Sequence, residues 1–192
     1  MFGRNVTGGA VVIRSTLPTN TFHADVRAAV SSGIQTRGSA VVTGPIIKDK
    51  IQAKLAVLYD KDYGYFTNEF NGKNDLGRSR TLIIRPAVRI APTDTVEMIL
   101  RYEDGRFDGD GAVPTNRGLF PADSFRVSID NEGYAHNRWN SASAETNIDT
   151  SFGDGKITNL MAYRAVTSRA SADINASPRY DYNVNYYTPS AR

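Results

Sequence analysis

One repeated pattern leaves this chain few folds to choose from: apolar and polar residues alternate, position by position, over long stretches. Phe22, Ala24, Val26, Ala28 and Val30 share one face of an extended chain, while His23, Asp25, Arg27, Ala29 and Ser31 share the other. A period of two marks a β-strand with one apolar side. The pattern returns at Ile51, Ala53, Leu55, Val57 and Tyr59, at Leu82, Ile84, Pro86, Val88 and Ile90, and at Val96, Met98, Leu100 and Tyr102. Weaker versions occupy 142–149 and 156–168, and Ser39 to Gly44 supplies one more strand. No segment carries a helical period, so the expectation is an all-β, antiparallel chain of about seven strands.

The connections alternate in length. Short turns at 45–50, 91–95 and 152–155 are interleaved with long polar segments at about 66–78, 105–138 and 169–187. Short turns at one end and long loops at the other are a feature of outer-membrane barrels. Lys50 to Phe66 reads as one strand of roughly 15 residues, longer than the ~9–11 that a tilted strand needs to cross a bilayer. The facing follows from cost. Turning the first strand over would put Asp25 and Arg27 in hydrocarbon, and one arginine near the midplane of a barrel wall costs about 2–4 kcal/mol. In a membrane wall the apolar set therefore meets lipid and the polar set meets the lumen. Tyr59, Tyr63, Tyr65 and Tyr102, near the loop ends of strands, suit an interfacial girdle. A soluble sheet resting one face on a core explains the alternation equally well. A soluble β-sandwich binding module and a small complete outer-membrane barrel or adhesin without a plug both stay open on the pattern alone.

Several functions are disfavoured by what the chain lacks. Its 23 Lys and Arg against 20 Asp and Glu give a net charge of +3, with no run of adjacent basic residues to follow a phosphate backbone. Nucleic acid is not an expected partner. Cysteine is absent, which removes disulfides, thiolate metal sites and a cysteine nucleophile. No stretch near residue 1 has the charge and apolar pattern of a signal peptide, and no apolar run approaches the ~18 residues of a membrane-spanning helix. Gly3 and Gly8 have the spacing that begins a phosphate-binding loop, but Gly9 and Ala10 stand where Lys and Ser or Thr would be required. The acidic stretch Asp104–Gly111 misses the calcium-loop spacing, since the position for the closing glutamate is Thr115 or Leu119. His23 and His136 have no close partners in sequence, and no nucleophile elbow occurs. The sequence predicts no enzyme, no cofactor and no metal.

The opening phrase, "FGRNVTGGAVVIRSTLPT", resembles the end of the plug domain of TonB-dependent outer-membrane receptors, where such a phrase leads into the first barrel strand. The matching residues are Phe2, Gly3, Arg4, Asn5, Thr7, Gly8, Gly9, Ala10 and Val11. The stretches "GPIIKDKIQAKLAVLYDKDYGYFTN", "NGKNDLG" and "RPAVRIAPTDTVEMILRYE" are similar to the early barrel of the iron-complex branch. The resemblance implies that residues 1–20 are the end of a plug and residues 21–192 the first part of a transmembrane barrel. It implies a fragment, because the chain starts inside the plug-end motif, without the TonB box, and ends without a terminal aromatic strand. Such a receptor sits in the outer membrane of a Gram-negative bacterium and takes up ferric siderophores or other scarce small ligands. Energy reaches it from a TonB–inner-membrane complex that pulls on the box, so only the whole receptor would engage that partner. In this family long loops help to capture the ligand, which makes Phe70, Phe107, Phe120, Tyr134, Tyr180 and Tyr182 the candidate contacts.

Overall fold

The structure, a computed structural model, describes residues 15–32, 35–121, 123–179 and 183–189. The alternating segments form long strands: His23–Ser31 (β1), Gln35–Ile47 (β2) and Ile51–Asp62 (β3). Two short strands follow, Phe66–Asn68 (β4) and Lys73–Leu76 (β5), and then Ser79–Thr93 (β6) and Val96–Gly109 (β7). The rest are Arg126–Val127 (β8), Tyr134–Asp149 (β9), Lys156–Asp173 (β10) and Asn183–Thr188 (β11). No helix occurs among the described residues.

Eight strands make one antiparallel sheet in the order β1-β2-β3-β6-β7-β9-β10-β11, and the remaining three form a small sheet, β5-β4-β8. The large sheet is a meander, with sequential strands as neighbours once the small sheet is set aside. Its register joins like to like. Ala53, Val88, Leu100, Ala144 and Met161 stand opposite one another across five strands, and one residue further along β3, Lys54 opens the row Ala87, Arg101, Ser143, Ala162. A slip of one residue would exchange the two faces. β1 and β11 are the edges and do not pair with each other, so the sheet is open among the described residues.

Among the described residues, close contacts between strands run only between hydrogen-bonded neighbours, and the only other sheet is the small one, β5-β4-β8. The apolar face is the exposed one: Val26 is 77% exposed, Met161 66% and Tyr163 55%. On the other face Gln52 at 0% and Asn147 at 8% are covered, while the Arg27, Arg37 and Arg85 side chains stay exposed. The buried apolar cluster of Leu76, Val127 and Ile129, with Phe66 and Val113 against it, belongs to the small sheet and the segments beside it.

Three tight connections lie at one end. Residues 48–50 join β2 to β3, with Asp49 at φ 63° and Asn20 accepting its amide at 2.9 Å. Residues 94–95 join β6 to β7, and 150–155 join β9 to β10, where Gly153 and Asp154 take φ 68° and 46°. At the opposite end, 63–78 exceeds the predicted 66–78 because β3 ends early, whereas the connections from Gly109 to Tyr134 and from Asp173 to Asn183 are shorter than the predicted 105–138 and 169–187 because their strands extend into them. The 32–34 connection at that end is also short, so the alternation of turn and loop is not strict. The predicted strand from Lys50 to Phe66 stops at Asp62. Gly64 takes φ +77°, and a Cβ there would lie 2.1 Å from the Asp75 carbonyl oxygen, so the chain turns away into β4. β11 was not expected, because its residues fell inside a segment read as loop.

The apolar band has a definable upper edge. On β3 it runs from Ile51 to Tyr59, about 26 Å of strand. Tyr59 stands opposite Leu82, which stands opposite Arg106, whereas the band on β7 ends at Tyr102, opposite Ala142 and then Tyr163.

Candidate functional site

The polar face is held by cross-strand ion pairs. Arg37 pairs with Asp60, Arg85 with Glu103, and Arg89 with Glu97. Arg101 reaches Glu145 at 3.0 Å, and Arg89 also donates to Gln52 at 3.1 Å. Asn147 donates to Glu97 at 3.4 Å and to Glu145 at 3.3 Å, and accepts from Thr158 at 2.8 Å. The Trp139 indole N–H donates to Glu103 at 2.6 Å. Antiparallel register causes this arrangement: it sets Arg37 directly opposite Asp60, and it brings Arg89 and Glu97, and Arg101 and Glu145, together diagonally on one side of the sheet.

Residues 15–21 run along this same face. The Thr19 amide donates to the Thr43 hydroxyl at 2.9 Å, and the Lys54 ammonium donates to the Thr16 carbonyl at 3.0 Å. This strap borders two clefts. One is lined by Thr16, Lys54, Arg85, Arg101, Glu103 and Arg164. The other contains Leu17, His23, Asp25, Arg27 and Thr43. Both place charged groups around a space large enough for water or a small polar ligand.

The long connections interlock at the other end. β4 pairs with β8 in parallel, which ties the 63–78 loop to the 110–133 loop. Asn68 is fully buried between them and donates to the Ile129 carbonyl at 2.9 Å while accepting the Ile129 amide at 3.1 Å. Arg126 donates to Glu69 at 2.6 Å, and this guanidinium holds the Glu69 carboxyl below the usual range. Burial pushes the Glu132 carboxyl up, but hydrogen bonds from Lys73 at 2.7 Å and Asn71 at 2.6 Å outweigh it and hold the group below the usual glutamate range. Asp110 accepts the amides of Gly77 and Arg78 at 3.0 and 2.9 Å and raises the Arg78 guanidinium further.

The candidate ligand aromatics are not brought together. Phe70 is exposed at the tip of the β4–β5 turn. Phe107 projects from the polar face of β7, its ring 3.2 Å from where a Cβ of Gly109 would stand. Phe120 lies under the Arg126 guanidinium at 5.5 Å, and Tyr134 stacks on His136 at 5.0 Å on the opposite face of the sheet. Tyr180 and Tyr182 lie outside the described residues, as do Phe2, Gly3, Arg4, Asn5, Thr7, Gly8, Gly9 and Ala10 of the plug-end motif. The loops instead cluster Tyr65, Phe66 and Phe125, with ring centroids 4.5, 5.1 and 5.9 Å apart. His136, read from sequence as lacking a partner, meets Asp108 at 3.0 Å, because antiparallel pairing sets two residues far apart in the chain side by side. Trp139 and Gly105 were also not singled out. The one available signal was a lone tryptophan in a strand whose apolar positions lie on the other parity. Among the described residues, no group of three or more His, Asp or Glu side chains is disposed to hold a metal.

Comparison of the chain with protein-family models, curated proteins and solved structures gives no match.

Proposed function

We propose that the chain is the plug-end and early-barrel part of a TonB-dependent outer-membrane receptor that imports ferric siderophores or similarly scarce ligands. The observation that carries this reading is the inverted sheet: a layer whose apolar face is exposed and whose opposite face is polar, ion-paired and buries Thr43, Gln52 and Asn147. Lipid is the solvent that such a face fits, since apolar side chains there need no protein cover. The strap of residues 15–21 against the polar face fits a chain leaving a plug inside the barrel. The resemblance of the phrase around Phe2, Gly3, Arg4 and Asn5 to a plug end supports a plugged barrel. The role is transport, not catalysis. Capture falls to the long loops, and coupling to the inner-membrane energy complex falls to a TonB box in the whole receptor.

The open edges support a part of a larger wall. A plugged transporter has about 22 strands, and eight form the sheet here. A small complete barrel would close β1 on its last strand, and a β-sandwich would lay a second sheet over the apolar face; neither arrangement occurs among the described residues.

The flanking reading frame tests the proposal. In-frame coding for a plug with a TonB box ahead of residue 1, and for about fourteen further strands beyond residue 192, is the expected result. Absence of such coding on both sides overturns the receptor assignment. A cooperatively folding, detergent-free soluble monomer overturns the membrane reading altogether.

A further inference from the structure

Above the upper edge of the apolar band, the outward face of the sheet changes from apolar to cationic, within two residues on β3 and β6 and within four to six on β7, β9 and β10. Beyond Tyr59 and Leu82, Lys61 stands opposite Arg80, then Asp108, His136 and Arg169 in one row. One step nearer the band, Arg106 stands directly opposite Arg138. Five cations, Lys61, Arg80, Arg106, Arg138 and Arg169, thus share this face with two acids, Asp104 and Asp108, which leaves it at +3 before His136 is counted.

The acids are already engaged. Asp108 meets Arg80 at 3.5 Å and His136 at 3.0 Å, and Asp104 meets Arg106 at 3.5 Å. Arg169 lies over the Tyr187 ring at 5.1 Å. Arg138 is exposed and has no carboxylate partner among the described residues, although it faces another arginine. Like charges directly opposite on a sheet are unfavourable, and among the described residues only Asp104, on the Arg106 side, offsets this pair. Arg138 and Arg169 line a shallow cleft with Asp108, His136 and Thr167, open to the side from which the apolar band is also exposed.

We propose that this cationic face, centred on Arg106 and Arg138, docks the phosphorylated headgroups of anionic lipid. The inference rests on the membrane reading above and on the charge of the face. It follows the band that would meet acyl chains, four residues beyond Tyr102 and Tyr163 and two beyond Tyr59 and Leu82, on the side of the leaflet nearer the long loops. A phosphate seated between Arg106 and Arg138 converts their repulsion into two charge-assisted contacts. Each arginine near a charged membrane surface adds about fivefold to partitioning, and the effect falls with salt.

The test dilutes the 192-residue chain from urea into vesicles of phosphatidylcholine alone, or of phosphatidylcholine with one-fifth phosphatidylglycerol, and measures co-flotation at low and high salt. The expected result is stronger association with the anionic vesicles, weakened about fivefold by Arg138→Gln and roughly twentyfold by the Arg106→Gln, Arg138→Gln pair. Arg117→Gln removes the same charge from an exposed loop turn and should leave association unchanged. Equal association with both vesicles, or equal loss in Arg117→Gln and Arg138→Gln, overturns the docking face while leaving the membrane reading standing. Association with neither vesicle overturns both.

Discussion

The indole of Trp139 covers Gly105 across the β7–β9 pair so closely that a Cβ on the glycine would lie 2.0 Å from its ring, while its N–H donates to Glu103 two residues away. An aromatic laid over a cross-strand glycine pins register and fills the space that a glycine leaves in a strand. Gly105→Ala should displace the ring, break the Glu103 contact and cost about 1–3 kcal/mol, the range for overpacking. A urea midpoint followed by the fluorescence of this single tryptophan reads both effects; an unchanged emission maximum and midpoint would show that the ring does not hold the pair.

Asn68 adds a side-chain clamp between the two loops at the end of the two-residue β4–β8 ladder. Asn68→Ala strips the Ile129 amide and carbonyl of their buried partner, and each unsatisfied group costs about 1–3 kcal/mol. The 110–133 segment should then be cut by protease well before the sheet unfolds. Wild-type cleavage rates in the variant would mean that the small apolar cluster alone holds the loops together.

The loop assembly should weaken in acid. Glu132 has a folded value lowered by Lys73 and Asn71, so its contribution is fully present above the ordinary glutamate value of about 4.3 and is lost as pH falls through the lower folded value. Hydrogen exchange of the 69–73 and 130–133 amides should accelerate below about pH 4.3. Glu132→Gln should flatten that part of the profile, and acceleration of the same size in the variant would assign it to another acid.

A charge on the exposed apolar face should be far costlier than one on the polar face. In a bilayer, Leu100→Arg should cost about 2–4 kcal/mol, whereas Ala162→Arg, on the other side of the sheet, should cost under about 1 kcal/mol. Denaturant titration in vesicles measures both. Equal losses would contradict the proposed orientation of the wall.

The strands of the large sheet were legible because their signal is local: a period of two survives in any window around Val26, Leu55, Val88 or Leu100. Once the faces are assigned, register follows, since only like-facing pairings keep Leu100 beside Val88 and Ala144. The small sheet was not legible. Phe66–Asn68, Lys73–Leu76 and Arg126–Val127 are too short to show a period, and they are fixed by Asn68 meeting Ile129, 61 residues away. Asn183–Thr188 was hidden for a similar reason, having only six residues in a polar, tyrosine-rich stretch. The aromatics were countable from sequence, but their grouping was not. Tyr65, Phe66 and Phe125 meet through the β4–β8 pairing, which nothing in their own neighbourhoods announces.

The upper edge of the apolar band fixes an angle. A line at right angles to the strands from Tyr59 reaches Arg106 on β7 and Thr167 on β10, yet the band on those strands ends at Tyr102 and Tyr163, four residues lower in each. The whole descent falls between β6 and β7, and spread over the four steps from β3 to β10 it averages one residue per strand. A barrel whose shear equals its strand number has the same average, and its strands lean about 36° from the axis. At that pitch the ~26 Å of apolar strand from Ile51 to Tyr59 spans roughly 21 Å of depth, close to the ~25 Å apolar belt of an outer-membrane wall. Under the proposed barrel, the side-chain pattern of this open sheet would supply the pitch of the cylinder.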